Sequence, residues 1–138
     1  MTKTKKAYIP TKLELEGLLS ITKEDSIQRW AMLHFSYFAG LRSMEIAELS
    51  IEDIFQGNEV RGMAQLPTKG GGTRRISLVD KKLRSAISIF YTVSNLSSKP
   101  IQAPLFTNPS GGRFTANGVV KQFAKMYKKA DLPCSSHS

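Results

Sequence analysis

Apolar residues along this chain fall into runs of helical period separated by shorter, extended-looking runs. Thr11-Lys12-Leu13-Glu14 has the spacing of a capping box, and Leu15, Leu18 and Leu19 behind it predict a short helix. Thr22 is read as the start of the main helix, with Glu24 and Asp25 in its first turn. Its apolar stripe is Ile27, Trp30, Ala31, His34, Phe35 and Phe38. Gly40 suits the position just past a helix end, where positive φ is needed, and Ser43 suits the N-cap of a second, shorter helix. Ile51 to Phe55 and Val60 to Leu66 read as strands about a turn at Gln56-Gly57-Asn58. Arg74 to Leu78 returns as a third strand after the bend at Lys69-Gly70-Gly71-Gly72-Thr73. Asp80 caps a helix whose inward positions are Leu83, Ala86, Ile87 and Phe90, and the Ser/Pro-rich stretch 94–104 reads as a loop. A short extended piece from Leu105 and a tight turn lead to Thr115. That residue caps a helix with Val119, Val120, Phe123, Ala124 and Tyr127 inward and Lys121, Lys125, Lys128 and Lys129 outward. The pattern predicts a mainly α domain with a small three-stranded antiparallel sheet on one edge, an α+β class. Residues 1–10 form a basic lead-in and 11–138 the folded unit.

Charge sharpens this picture. The chain of 138 residues carries a net charge of +9, all of it in one half. Residues 1–69 hold nine Lys/Arg against nine Asp/Glu; residues 70–138 hold eleven against only Asp80 and Asp131. Half a chain so poor in acids calls for a polyanionic partner, most commonly nucleic acid. The lysine row after Thr115 has no acid among its neighbours to offset it, which favours backbone-phosphate contact over a merely solvated face.

Other chemistry is excluded or left without support. No apolar run approaches membrane-spanning length, and no apolar segment follows the basic N-terminus as a secretory signal would require. The single cysteine, Cys134, rules out an internal disulfide and argues against a cysteine zinc site, which suits a reducing cytoplasm. His34 lies in a core stripe without a second ligand at metal spacing, so no metal site is expected. The triple glycine is not a phosphate-binding loop: a Walker motif places its Lys after the glycines at a helix start, and here Lys69 precedes them between strands. Nucleotide binding is therefore rejected, and no cofactor is expected.

Arg42 stands at the break between two helices, where a planar guanidinium can be aimed at a phosphate or carboxylate. Spacing alone favours the simpler reading, an ion pair with Glu45 three residues on. The run Gly40-Leu41-Arg42-Ser43-Met44-Glu45-Ile46-Ala47-Glu48-Leu49 resembles the first arginine box of the tyrosine recombinases, the phage-integrase family. Lys69-Gly70 through Arg74 and Ile76 to Leu78 resembles that family's lysine hairpin, and Leu105-Phe106 its segment before the next helix. His137 resembles the first residue of its His-x-x-Arg box.

The resemblance implies the family's DNA breaking-rejoining fold, incomplete at the C-terminus, and transfer of a DNA phosphodiester to tyrosine without metal or nucleotide. Arg42 would clamp the phosphate, Lys69 would serve as general acid, His137 would assist at the phosphate, and Glu45 would hold the site in shape. Arg74, Arg75, Arg113, Lys121, Lys125, Lys128 and Lys129 are the expected DNA contacts. The box's arginine and the nucleophilic tyrosine are not matched, and none of Tyr8, Tyr37, Tyr91 or Tyr127 is assigned that role. The expectation is a double-stranded-DNA-binding fragment of a phage or mobile-element integrase, incompetent for cleavage by itself, with other recombinase protomers as further partners. Two alternatives are a non-enzymatic DNA-binding remnant that modulates a full-length recombinase, and an RNA- or acid-binding module.

Overall fold

The computed structural model describes residues 9–68 and 70–133. Its helices are α1 (Lys12–Asp25), α2 (Ile27–Ala39), α3 (Ser43–Glu48), α4 (Ile51–Ile54), α5 (Lys81–Val93) and α6 (Ala116–Lys129). Between α4 and α5 lie β1 (Phe55–Gln56), β2 (Glu59–Val60), β3 (Met63–Pro67) and β4 (Thr73–Ser77), and a 3-10 turn (Leu96–Ser98) follows α5.

Helix α2 is the centre of the packing. It runs against α1, α3, α5 and α6, and its residues Trp30 to Phe35 are all buried. Phe106, arriving on the segment before α6, fits edge-on to Phe35 at 5.8 Å and beside Phe90 of α5 at 5.2 Å, joining three parts of the chain in one aromatic contact. The helix ends follow chemistry visible in the sequence. Thr11 and Glu14 close a reciprocal capping box, Asp80 accepts from the Leu83 amide, and Thr115 accepts from the Gly118 amide. Gly40 ends α2 at φ 69°, a left-handed conformation that suits a residue without Cβ.

Several expectations are corrected. The main helix starts at Ser26, not Thr22: Ser26 accepts from the Arg29 amide as the N-cap of α2 while its own N–H donates to the Thr22 carbonyl, closing α1. Thr22 lies buried inside α1. The N-cap of α3 is Arg42, whose backbone N–H donates to Glu45 Oε1, and Ser43 is the buried first helical residue.

The expected three-stranded sheet is two separate antiparallel pairs, β1–β2 and β3–β4. Residues 51–54 are helical because Ser50 and Asp53 form a cap, the Ser50 N–H donating to Asp53 Oδ2 at 2.7 Å. The run from Val60 to Leu66 breaks at Arg61–Gly62, where Arg84 of α5 donates to the carbonyls of Val60, Arg61 and Leu78. The stretch 94–104 is a loop as expected, with a 3-10 turn at Leu96–Ser98, and it is tied to α4. Ile51 and Glu52 donate backbone hydrogen bonds to the carbonyls of Ala103 and Ile101, and Leu105 donates to Leu49.

His34 is buried as expected, its ring edge-on to Trp30 and stacked on Phe38. Nδ1 donates to the Trp30 carbonyl at 2.8 Å, which fixes the orientation of the ring. Burial pushes its pKa below the ordinary imidazole value of 6.5, against the opposing pull of the Trp30 carbonyl and Asp80; Lys23 and Lys82 push the same way as burial. The unfolded chain therefore takes up this proton first. Stability should fall as pH drops below about 6.5, down to the depressed folded value. Urea unfolding at successive pH values should show that slope in the wild type and lose this part of it in H34F; an equal slope in both would refute the assignment.

Candidate functional site

The elbow between α2 and α3 is three residues long, Gly40 to Arg42, and it sorts its side chains. Leu41 goes into the core and Arg42 goes out. Arg42, Gly40, Ser43, Ser36, Ile46 and Phe123 of α6 line a cleft of about 220 Å³. Among the described residues the Arg42 guanidinium has no hydrogen-bonding or ion-pair partner. The local pair with Glu45 that spacing allowed does not form at the side chain. Glu45, only 8% exposed, spends Oε1 on the Arg42 backbone N–H at 2.9 Å and on Nη1 of Arg74 at 2.5 Å.

Arg74 reaches Glu45 from β4, and its Nη2 also donates to the Gly40 carbonyl at 3.0 Å. Arg113 likewise turns inward. Its Nη1 donates to the carbonyls of Ala47 and Leu49 and its Nη2 to Ser50 Oγ, so it caps the C-terminal end of α3, where a cation is favoured. Both residues are among the expected DNA contacts, and both have their forks occupied within the chain. Arg75, next to Arg74 on the strand, points to solvent.

On α6, Lys121, Lys125 and Lys128 are exposed at i, i+4 and i+7, one continuous face. Lys129 differs. Its Nζ donates to Asp25 Oδ1 at 2.5 Å, so an acid distant in sequence offsets this member of the row. Lys129, and then Arg29, hold the Asp25 carboxyl below its usual value. Arg29 also donates from Nε to Gln122 Oε1, an α2–α6 tie with no local sequence signal. Of the cations expected at DNA that fall among the described residues, Arg42, Arg75, Lys121, Lys125 and Lys128 face outward without a partner from the fold.

Lys69 and His137 lie outside the described residues, as do Tyr8 and Cys134. The other tyrosines are structural members of the fold. Tyr127 is buried, Tyr37 packs against the core, and Tyr91 stacks on Phe55 and donates its hydroxyl to Asn58 Oδ1. No group of three or more His, Cys, Asp or Glu side chains suited to a metal occurs among the described residues. None of their helices is long and apolar enough to cross a membrane.

The arrangement matches known proteins in sequence and in shape. Tyrosine recombinase XerC of Proteus mirabilis is 32% identical over 127 residues, which cover 90% of this chain and 39% of that protein. The chain therefore spans about two fifths of this curated relative. The XerA recombinase superposes with a TM-score of 0.77 at 17% identity, over 98% of this chain and 47% of its own. Lambda integrase bound to DNA does so at 0.69 and 12% identity, over 98% and 46%. These two structures establish the fold, a tyrosine-recombinase catalytic-domain architecture. Residues 10–138 match the profile of the phage integrase family, nearly the whole length, and the chain belongs to that family.

Proposed function

We propose that this chain binds duplex DNA as part of a site-specific recombinase and that Arg42 engages a backbone phosphate at the point of strand exchange. The observation that carries this reading is the Arg42 guanidinium, fixed on a three-residue elbow and without an anion among the described residues, while the neighbouring carboxylate is neutralised by Arg74. A planar fork held in this way suits the nonbridging oxygens of a phosphodiester, where charge builds during displacement at phosphorus. In this reading Lys69 protonates the leaving 5′-oxygen and His137 assists at the phosphate. Lys121, Lys125, Lys128 and Arg75 hold the flanking backbone. The packed positions of Tyr37, Tyr91 and Tyr127 favour phosphate engagement over nucleophilic attack as this chain's contribution.

Of the structures that share this fold, a lambda integrase is bound to DNA, XerH is bound to its difH substrate, and one lambda integrase structure is a dimer on a core site. Duplex DNA and further protomers are accordingly the partners of this reading, with no membrane or nucleotide. The single cysteine fits a cytoplasmic setting.

The test is fluorescence anisotropy with duplex DNA between about 50 and 200 mM salt. Log affinity should fall linearly with log salt. R42A should flatten the slope by about 0.9 and weaken binding about fivefold at 0.15 M, the effect of one phosphate contact. Salt-insensitive binding, or an equal preference for single-stranded RNA, would sink the proposal.

A further inference from the structure

We propose that Arg74 is a positioning residue: it locks the β3–β4 hairpin to the α2–α3 elbow and thereby fixes the direction in which Arg42 points. This rests on the reading of Arg42 as a phosphate-binding group. Arg74 is one of the expected DNA contacts; its geometry assigns it a different task.

One guanidinium brackets the elbow from both sides. Nη2 takes the carbonyl of Gly40, the residue that ends α2, and Nη1 takes Oε1 of Glu45 in the first turn of α3. The same Oε1 receives the Arg42 backbone N–H, so Arg74 and the Arg42 main chain meet on a single oxygen. Leu41 is buried beneath this bracket and Arg42 projects from it. The hairpin on which Arg74 sits closes through Thr68 and Gly72, the Thr68 N–H donating to the Gly72 carbonyl. Two segments 29 to 34 positions apart in sequence are thus joined by one side chain.

Moving Arg74 onto a DNA phosphate would strip Glu45 of its ionic partner while that carboxylate remains 8% exposed, and an unpaired carboxylate at such a site is unfavourable. Among the described residues no other cation pairs with Glu45. A fork is also required, because a lysine ammonium is a compact point charge without Arg's two-pronged reach to both acceptors. The flanking Arg75 makes the opposite choice. Strand alternation puts Arg74 on the same face as buried Ile76 and sends Arg75 outward.

The experiment is a double-mutant cycle on duplex-DNA affinity with R42A, R74A and the pair, joined to amide hydrogen exchange on the free chain. In the wild type R42A should weaken binding about fivefold at 0.15 M salt; in the R74A background it should weaken it less than about twofold. R74K keeps the charge but not the fork, and should behave like R74A rather than like wild type. Exchange in R74A and R74K should quicken at the amides of Leu41, Arg42 and residues 73–75, with the β1–β2 pair unchanged. The proposal is overturned if the two single effects multiply independently, each with its own slope change near 0.9, because Arg74 would then be a phosphate contact in its own right. If the wild type does not bind DNA, the reading of Arg42 fails. Unchanged exchange at the Arg42 amide would overturn the bracket itself. Where R74A does not fold, R74K decides both arms.

Discussion

Replacing Phe106 with alanine is expected to cost about 3–5 kcal/mol, the range for removing a fully buried aromatic ring. Phe106 is buried, and its ring lies between Phe35 of α2 and Phe90 of α5. Backbone next to it is already pinned. The Gln28 side chain accepts from the Thr107 N–H and donates to the Thr107 carbonyl, so the segment cannot simply slide inward to fill the space. Domains of this size are stable by only about 5–15 kcal/mol, so the loss would take a large share of the total. Urea unfolding should show a lower midpoint with an unchanged slope. Val79, 67% exposed, serves as the contrast: V79A should stay within about 0.5 kcal/mol of wild type. A cost below about 1 kcal/mol for F106A would mean that the aromatic contact is not a centre of the core.

The largest functional effect belongs to the α6 face. Converting Lys121, Lys125 and Lys128 together to alanine should flatten the salt dependence of DNA binding by about 2.7, three contacts at about 0.9 each. At 0.15 M salt that corresponds to a loss of about two orders of magnitude in affinity, against about fivefold for one contact. These residues are exposed and far from the core, so the urea midpoint should hardly move. K129A is the internal control. Its ammonium is engaged by Asp25, so its removal should change the salt slope less than any one of the other three. If K129A matched them, the Asp25 pair would not be diverting Lys129 from the nucleic acid. If the triple variant kept its slope, α6 would not face DNA at all.

Local chemistry was legible in the sequence where a residue acts on its own neighbours. The caps at Thr11, Asp80 and Thr115 and the left-handed end at Gly40 each depend on positions a few residues away, and each appears where its residue type demands. The same rule would have found α4, since Ser50-x-x-Asp53 is a capping pattern; the apolar Ile51 and Ile54 drew the reading toward a strand. The direction of Arg74 was also available, because alternation with Ile76 turns it inward. What could not be read were the ties across the chain. Arg113 to the end of α3, Lys129 to Asp25 and Arg29 to Gln122 leave no local trace, so basic residues that serve the fold looked the same as those free to meet DNA. Arg42 was found by its box, but that its guanidinium has no partner among the described residues followed only from Glu45 being taken elsewhere.

The attachment of 101–105 to α4 has a consequence for how the chain can come apart. Carbonyls at Ile101 and Ala103 receive amides from the first turn of α4, Leu105 returns a bond to Leu49, and Arg113 grips the same region. Roughly fifty residues of chain, including both strand pairs and α5, loop out between these partners. Neither half of the molecule therefore has a complete set of backbone partners without the other. Among the described residues α3 also packs directly on α6, so the elbow that aims Arg42 and the α6 face that carries the lysines are expected to melt together.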